Sequence, residues 1–335
     1  KTCLYLSSVS RGLSYAGKVT LKGKMSLPSH FINERYLKNE PNLLVKEGAI
    51  EMSSPNLPKL NPDFEKNFSK ITVERQLLKS IEKVNDSVYY NPFTKPVIEI
   101  QLESPYLDDI VMKGNFILHS KDSIVVKSRA YLDDVILKAP KVTLTNNFEG
   151  SIQIFATERI EVGSDVVLHY PSALCLFNDT EQKAEIVIKE NTSIQGGIVL
   201  FGNSFANIDE NSVILKEKTT LIGDLYSTGK INLQGKIYGS VYCHSIFHGV
   251  SNSSADNCLY NTEINVQKRP DYFVSVPLFV VLFFTISKNE MTRKHYFAHH
   301  TGNPPISPSI TLHSPRARHH QLPIVVKLMR LCSVL

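Results

Sequence analysis

Residues 213–247 read VILKEKTTLIGDLYSTGKINLQGKIYGSVYCHSIF, in which short apolar units alternate with glycine and polar residues. The same pattern extends upstream. Six segments begin with a β-branched apolar residue: Ile124, Val142, Ile160, Ile186, Val213 and Ile231. Successive segments begin 18, 18, 26, 27 and 18 residues apart, and the two longer intervals end at Ile186 and Val213. The longer intervals contain the polar inserts NDTEQK (residues 178–183) and NIDEN (residues 207–211), which is typical of insertion in surface loops.

Each repeat contains two further apolar positions. The second position lies six to eight residues after the first, at Tyr131, Phe148, Val166, Ile194, Leu221 and Ile237. A third short unit begins ten to fourteen residues after the first position, at Val135, Ile152, Leu174, Ile198, Leu225 and Val241. Three β-prone units per repeat predict a mainly β fold, a parallel β-solenoid with three short strands per coil over residues 97–250. One coil cannot bury its own inner face, so stacking must supply the stability.

Glycine, asparagine and aspartate fall between the apolar units, where the corners of such a coil need residues that tolerate positive φ. The alternative is an antiparallel sandwich with turns every 8–12 residues. A sandwich does not require three matching columns at a fixed repeat, so the pattern favours the solenoid.

The N-terminal part has a different pattern. Residues 1–60 are predicted to form a strand and loop region. A stripe of apolar residues at spacings of 4, 3, 7 and 3 then predicts a helix within residues 61–90: Phe64, Phe68, Ile71, Leu78 and Ile81. We expect this helix to cap the solenoid by covering an edge strand.

The C-terminal part has no strand period. Residues 251–286 are predicted as an extension that includes the apolar run FVSVPLFVVLFFTI (residues 273–286). This run has 14 residues and contains Pro277, whereas a spanning helix needs about 20, so we expect a buried or interfacial segment. Residues 287–335 are rich in proline and histidine, and we expect a disordered basic tail.

Charge and cysteine usage exclude several classes of protein. The net charge is +5, but residues 288–335 alone carry seven Lys or Arg and one Glu, which leaves −1 for the rest of the chain. The body therefore lacks the basic surface that a nucleic-acid partner requires. The five cysteines lie far apart with no CxxC pair, which argues against a disulfide framework and a cysteine-rich zinc site.

Candidate catalytic groups are few. The acid pairs Asp108-Asp109 and Asp133-Asp134 have the residue types of a calcium or glycosidase pair, but adjacent acids alternate faces on a strand, so we interpret them as corners. His244 and His248 are interpreted as surface residues. The tail histidines are expected to have at most adventitious metal affinity: His295, His299, His300, His313, His319 and His320. We therefore predict no catalytic, cofactor-binding or metal-binding residue.

Hexapeptide-repeat acyltransferases provide a further alternative because they also have coils of three six-residue units. Six positions recur every six residues: Val213, Thr219, Leu225, Ile231, Ile237 and Cys243. The other coils break this rule, and no histidine is clearly placed as a general base.

The triplets Leu233-Gln234-Gly235 and Ile237-Tyr238-Gly239, with Ile222-Gly223 before them, carry a family resemblance. Residues 213–247 resemble a bactofilin-type polymer-forming domain. The resemblance implies a right-handed β-helix, no cofactor and end-to-end self-assembly. As a whole, the chain also resembles uncharacterised bacterial membrane-anchored proteins with a β-solenoid ectodomain.

These observations predict a non-enzymatic structural scaffold that self-associates through the solenoid ends. The resemblance favours the bacterial cell envelope, with envelope proteins or glycans as partners and no nucleic acid; the cytoplasm is the alternative location. The fold would rest on the inward residues Ile160, Ile186, Val213 and Ile231. The main functional alternative is a β-helix that binds or cleaves carbohydrate, with Tyr226, Tyr238 and Tyr242 as exposed aromatics in line.

Overall fold

The computed structural model describes residues 1–7, 11–37, 41–61, 75–77, 88–202, 210–250 and 253–273. In these ranges the chain is mainly strand, joined by tight corners. Seven strands precede the repeats: β1 (Thr2–Leu6), β2 (Ser14–Ala16), β3 (Lys18–Lys22), β4 (Lys24–Leu27), β5 (Asn33–Glu34), β6 (Leu43–Glu47) and β7 (Ile50–Met52). Four short strands follow: β8 (Arg75–Leu77), β9 (Val88–Asn91), β10 (Ile98–Gln101) and β11 (Tyr106–Leu107).

The repeats alternate between long and short strands. They are β12 (Val111–His119), β13 (Ser123–Val126), β14 (Tyr131–Lys138), β15 (Lys141–Leu144), β16 (Glu149–Ala156), β17 (Arg159–Val162), β18 (Val167–Asn178) and β19 (Glu185–Ile188). They continue with β20 (Ser193–Gly202), β21 (Ser212–Leu215), β22 (Thr220–Leu233), β23 (Lys236–Tyr238) and β24 (Val241–Val250). The described chain ends with β25 (Ser253–Asp256), β26 (Cys258–Tyr260), β27 (Glu263–Asn265) and a 3-10 turn at Val266–Lys268.

Parallel pairing arranges these strands as three ladders, which we call ladders 1, 2 and 3. Ladder 1 joins β11, β13, β15, β17, β19, β21 and the end of β22. Ladder 2 runs from β9 through the first halves of β12–β22 to β23, β27, β3 and β6. Ladder 3 runs from β8 through β10 and the later parts of the long strands to β1, β4 and β7. The parallel β-solenoid is thereby confirmed at the level of the sheet.

The first predicted column is confirmed residue by residue. Its members are consecutive register partners on ladder 1: Ile124, Val142, Ile160, Ile186, Val213 and Ile231. Ile160, Ile186 and Val213 are fully buried in one continuous apolar core. Alternation along each strand turns every second side chain inward, and stacking brings equivalent residues into van der Waals contact.

Each of the other two predicted columns is interrupted: on ladder 3, Val135 and Ile152 are register partners as predicted, but the next predicted member is out of register. On ladder 2, Leu132, Gly150 and Leu168 take the places predicted for Tyr131, Phe148 and Val166. Tyr131 points outward and is 42% exposed. On ladder 3, Leu174 pairs with Ile154 and not with Ile152, because the β16–β18 register shifts between Gly150 and Gln153. The sequence period shows the spacing of units but not such a bulge.

The corners explain the polar spacing of the sequence. Six non-glycine residues at the corners that lead into ladder 2 have left-handed backbones: Asp109, Asn147, Asp165, Asn191, Lys218 and Asn261. Asparagine and aspartate tolerate this conformation better than most residues. Between ladders 2 and 3, Gly223 has φ +144°, and a Cβ there would collide with the carbonyl oxygen of Gly196.

The N-terminal strands belong to the same solenoid, but out of chain order. Strand β1 pairs with β24, β2 pairs with β26, and β3 pairs with β27. Strands β4, β5, β6 and β7 then stack beyond them. The beginning of the chain therefore extends the coil at the point where β27 ends.

The predicted capping helix is not shown. Within residues 61–90, Arg75–Leu77 form β8, which pairs with β10, and β9 begins at Val88. Residues 62–74 and 78–87 lie outside the described residues. The same is true of residues 274–335, which include nearly all of the apolar run and the whole predicted tail.

Candidate functional site

The outer face of ladder 1 is a surface of paired charges. Arg159 forms an ion pair with Glu185 at 2.6 Å, and Lys189 forms one with Glu161 at 2.7 Å. Lys141 forms a third, with Glu158 of the next coil, at 3.2 Å. The hydrogen bond from Lys189 holds the pKa of Glu161 below its ordinary value. Exposed pairs of this kind contribute little stability each, and their charges are already compensated.

The outer face of ladder 3 carries a row of tyrosines. Tyr226, Tyr242 and Tyr5 are consecutive register partners, and the rings of Tyr5 and Tyr242 stack with centroids 6.1 Å apart. Tyr226 is only 2% exposed, and its hydroxyl donates to the carbonyl oxygen of Pro58 at 3.2 Å. Tyr238 lies on ladder 2, with Lys268 Nζ 5.0 Å from its ring centroid. The three tyrosines predicted in line therefore do not form one exposed row.

Residues 54–58 lie along this row. The hydroxyl of Tyr5 accepts from the backbone N–H of Ser54 at 3.0 Å and donates to the carbonyl of Asn56 at 3.0 Å. Together with the Tyr226–Pro58 bond, these contacts direct the chain from β1 towards β22. Backbone atoms of residues 54–58 therefore occupy the hydroxyl ends of Tyr5 and Tyr226.

Both acid pairs lie at corners, as interpreted from the sequence. Asp109 and Asp134 have φ of +53° and +60°. The carboxylate of Asp108 accepts two hydrogen bonds from the guanidinium of Arg129, at 3.1 and 2.7 Å. These bonds hold the pKa of Asp108 below its ordinary value. In the part of the chain that the structure describes, no group of three or more His, Cys, Asp or Glu is arranged to hold a metal ion.

The two histidines near the last coil differ. His244 is half-buried, with Nδ1 3.2 Å from Ser7 Oγ. His248 is 5% exposed, and its ring centroid lies 4.6 Å from that of Tyr260. The prediction of a surface position is wrong for His248, because the β24–β25 hairpin folds it against β26. The six tail histidines lie outside the described residues.

Four cysteines are buried as free thiols: Cys3, Cys175, Cys243 and Cys258. Burial raises the pKa of Cys3 to about 11 and that of Cys175 to about 12, and it also raises the pKa of Cys243. A thiol with a raised pKa is a poor nucleophile at neutral pH.

The six-residue spacing is explained by packing. All six of its members are completely buried: Val213, Thr219, Leu225, Ile231, Ile237 and Cys243. Ile237 pairs with Leu221 and Cys243 pairs with Ser227, so the six-residue spacing marks buried positions but not the register between successive coils.

The last coil beyond β27 has an uncovered core. Leu27 is fully buried, whereas Met52, its inward register partner one layer further out, is 57% exposed. Ile50 is half-buried although its partner Met25 is fully buried. Among the described strands, β6 and β7 are each paired on one side only. Sequence reasoning missed this surface because it did not place the N-terminal strands on the solenoid.

No protein-family model, no curated protein and no solved structure matches the chain. Among the residues that the structure describes, no helix has the length and apolar character needed to cross a membrane.

Proposed function

We propose that the protein is a non-enzymatic structural scaffold that self-associates end to end through its solenoid. The observation that carries this proposal is the uncovered core at the β5–β7 end, where Met52 and Ile50 continue columns that are fully buried one layer below. An exposed apolar cross-section beside unpaired strand edges favours the addition of a further coil.

The same proposal includes right-handed winding, as in the bactofilin-type domain that residues 213–247 resemble. Two observations elsewhere in the molecule support the proposal: Glu161 and Glu185 on the outer face of ladder 1 pair with lysine or arginine, and the cysteines of the described part are buried. A solenoid of this kind supplies a rigid core and flat outer faces, which are properties of a scaffold.

Sedimentation velocity and negative-stain electron microscopy over a dilution series test the proposal. We expect oligomers that lengthen along one axis as the protein concentration rises. Met52→Lys places a charge on the uncovered core and is expected to shift the distribution towards monomers. Thr143→Lys, on the outer face of ladder 1 in mid-solenoid, is the matched control and should leave association unchanged. Monomers alone at every concentration would contradict the proposal.

Glycan binding is a second candidate, because three tyrosines on the outer faces are strongly exposed. Tyr90, Tyr106 and Tyr131 are 56%, 59% and 42% exposed. The Nζ of Lys127 lies 5.5 Å from the ring centroid of Tyr106, and that of Lys113 lies 4.8 Å from the centroid of Tyr131. A glycan array tests this candidate: binding that is lost when all three tyrosines become alanine supports it, and an array without binding removes it.

A further inference from the structure

The solenoid contains a junction between segments from opposite ends of its sequence. We call residues 2–52 the N-terminal coils and residues 75–265 the repeat body. At the junction, Leu4 and Leu6 are register partners of Val241 and Cys243 on ladder 3. On ladder 2, β3 continues from β27 in the same way. The N-terminal coils thus occupy the position that the next coil of the repeat body would take.

The repeat body leaves that position open by turning away after β27. Asn265 caps the 3-10 turn at Val266–Lys268, and its side chain accepts from the backbone N–H of Gln267 at 3.1 Å. Arg269 then bridges to Asp224 at 2.9 Å, and both side chains are almost buried. This ion pair directs the chain back towards β22, so the slot above Val241 on ladder 3 is filled by β1.

The junction has the character of an ordinary coil interface. Leu4, Leu6 and Leu21 are completely buried within the main core. Backbone hydrogen bonds cross it from Ser7 N to the carbonyl of Cys243 and from Thr20 N to that of Thr262, each 3.0 Å long. All these contacts are non-covalent. The same contacts form equally well when the N-terminal coils belong to another copy of the chain.

The length of the connection distinguishes the two arrangements. Met52 and Arg75 are separated by 22 residues, and β7 and β8 lie at opposite ends of ladder 3, eleven strand pairings apart. At about 4.8 Å per pairing, the closed chain must span about 53 Å. Extended, the connection reaches at most about 80 Å. The connection is therefore long enough to close the chain on itself.

In a stack of two copies, the same connection has the length of one turn once residues 54–58 leave the tyrosine row, where hydrogen bonds to Tyr5 and Tyr226 hold them in the closed chain. Along the sequence, Ile50 lies midway between its register partner Met25 and Arg75, the first residue of β8. The step from Ile50 to Arg75 therefore equals the step from β4 to β7 on ladder 3. If the repeat body of the same chain lay directly above its N-terminal coils, β8 would continue ladder 3 from β7 after one normal interval. The strands of ladder 3 would then stack along the solenoid axis in the order of the sequence, and β8 would cover the exposed core at Met52.

We propose that the partner at the junction is a second copy of this chain, which inserts its N-terminal coils above β24 and β27 of the first. The exchange gives a head-to-tail stack in which each repeat body docks the N-terminal coils of the next copy. This inference rests on the proposed scaffold function and specifies how copies join. At low protein concentration the closed chain is favoured, because its own N-terminal coils have the higher effective concentration.

Shortening the connection tests the exchange. Deletion of residues 62–71 leaves a connection of about 12 residues, which reaches about 45 Å and cannot span the roughly 53 Å of the closed chain. The deleted chain can still join adjacent layers, so we expect it to form oligomers at every concentration. Replacing the same ten residues with a Gly/Ser segment of equal length is the control and should preserve the concentration-dependent monomer. A folded monomer from the shortened chain would overturn the exchange.

Disulfide trapping in the chain of natural length separates the exchange from simple end-to-end contact. Tyr5→Cys and Tyr242→Cys variants are prepared separately, mixed and mildly oxidised, since register partners on adjacent strands lie within disulfide reach. We expect interchain disulfides that increase with protein concentration. The control variants Thr143→Cys and Glu161→Cys, which are partners inside the repeat body, should give none when mixed. Oligomers without the Tyr5–Tyr242 disulfide overturn the exchange but not the scaffold, whereas monomers alone overturn both.

Discussion

Replacement of Ile186 by alanine should destabilise the solenoid far more than replacement of its neighbour Val187. Ile186 is completely buried between Ile160 and Val213, so the substitution removes three carbon atoms from the core. At about 0.8 kcal/mol per buried methylene, the lost transfer free energy is about 2.4 kcal/mol. The coils above and below fix the backbone, so the cavity collapses little and adds about 1 kcal/mol. We expect the free energy of unfolding to fall by about 3–4 kcal/mol.

Urea denaturation followed by circular dichroism measures this difference, since the chain contains no tryptophan. Val187 lies on the same strand with its side chain on the half-buried outer face, and Val187→Ala should cost less than about 1 kcal/mol. Equal denaturation midpoints for the two variants would show that ladder 1 does not enclose a shared core. Native-like spectra for both variants before urea is added confirm that the comparison concerns folded protein.

Three further predictions concern corners, buried thiols and the junction. Gly223→Ala should lower the denaturation midpoint because its Cβ meets a carbonyl oxygen of the neighbouring coil, whereas Gly249→Ala, with open space around it, should be neutral. Burial raises the pKa of Cys3 to about 11 and of Cys175 to about 12 from an ordinary 9.0. The contribution of the two thiols to the free energy of unfolding is complete below about pH 9. As the pH rises from there towards the pKa of the folded state, each thiol loses about 1.4 kcal/mol of this contribution per pH unit. Alkaline urea titrations measure that loss, and slow alkylation of both thiols at pH 8 without urea is the accompanying expectation. Asn257→Ala removes side-chain hydrogen bonds to Ile246 N and the carbonyl of Arg11, so about 1–3 kcal/mol should be lost and proteolysis of residues 1–60 accelerated.

The periodic part of the fold was predictable from sequence because its cause is local. Ile124, Val142 and Ile160 recur at one constant interval, since each coil must return an apolar side chain to the same column. The inserts before Ile186 and Val213 did not obscure this column, because they lie outside the paired strands. Asp109 and Asp134 were also placed at corners from the simple rule that adjacent residues alternate faces.

Features that depend on contacts between distant segments were not predictable. The stripe that begins at Phe64 predicted a helix, and its own residues lie outside the described part; the three described residues between them, Arg75–Leu77, form a strand that pairs with distant β10. Tyr226 looked exposed because nothing in its own repeat reveals that the distant Pro58 lies against it. A sequence pattern specifies inward and outward positions within a repeat, but not which segment covers an outer face.

The position of the N-terminal coils explains why the two ends of this solenoid have to be considered together. Strand β1 protects the edge of β24, which would otherwise be an unpaired strand beside the buried core. The protection moves the open edge to β6 and β7, where Met52 is exposed and Lys46 takes the inward position above Leu21. An inward lysine on an edge strand opposes unspecific strand pairing, because a strand added there would bury its charge. Lys46 therefore disfavours any partner that leaves its ammonium group without water or an opposite charge. Lys46→Leu is therefore expected to increase association, whereas Lys18→Leu on the exposed outer face of ladder 2 should not. Equal association of both variants in sedimentation velocity would show that the β6 edge takes no part in joining copies.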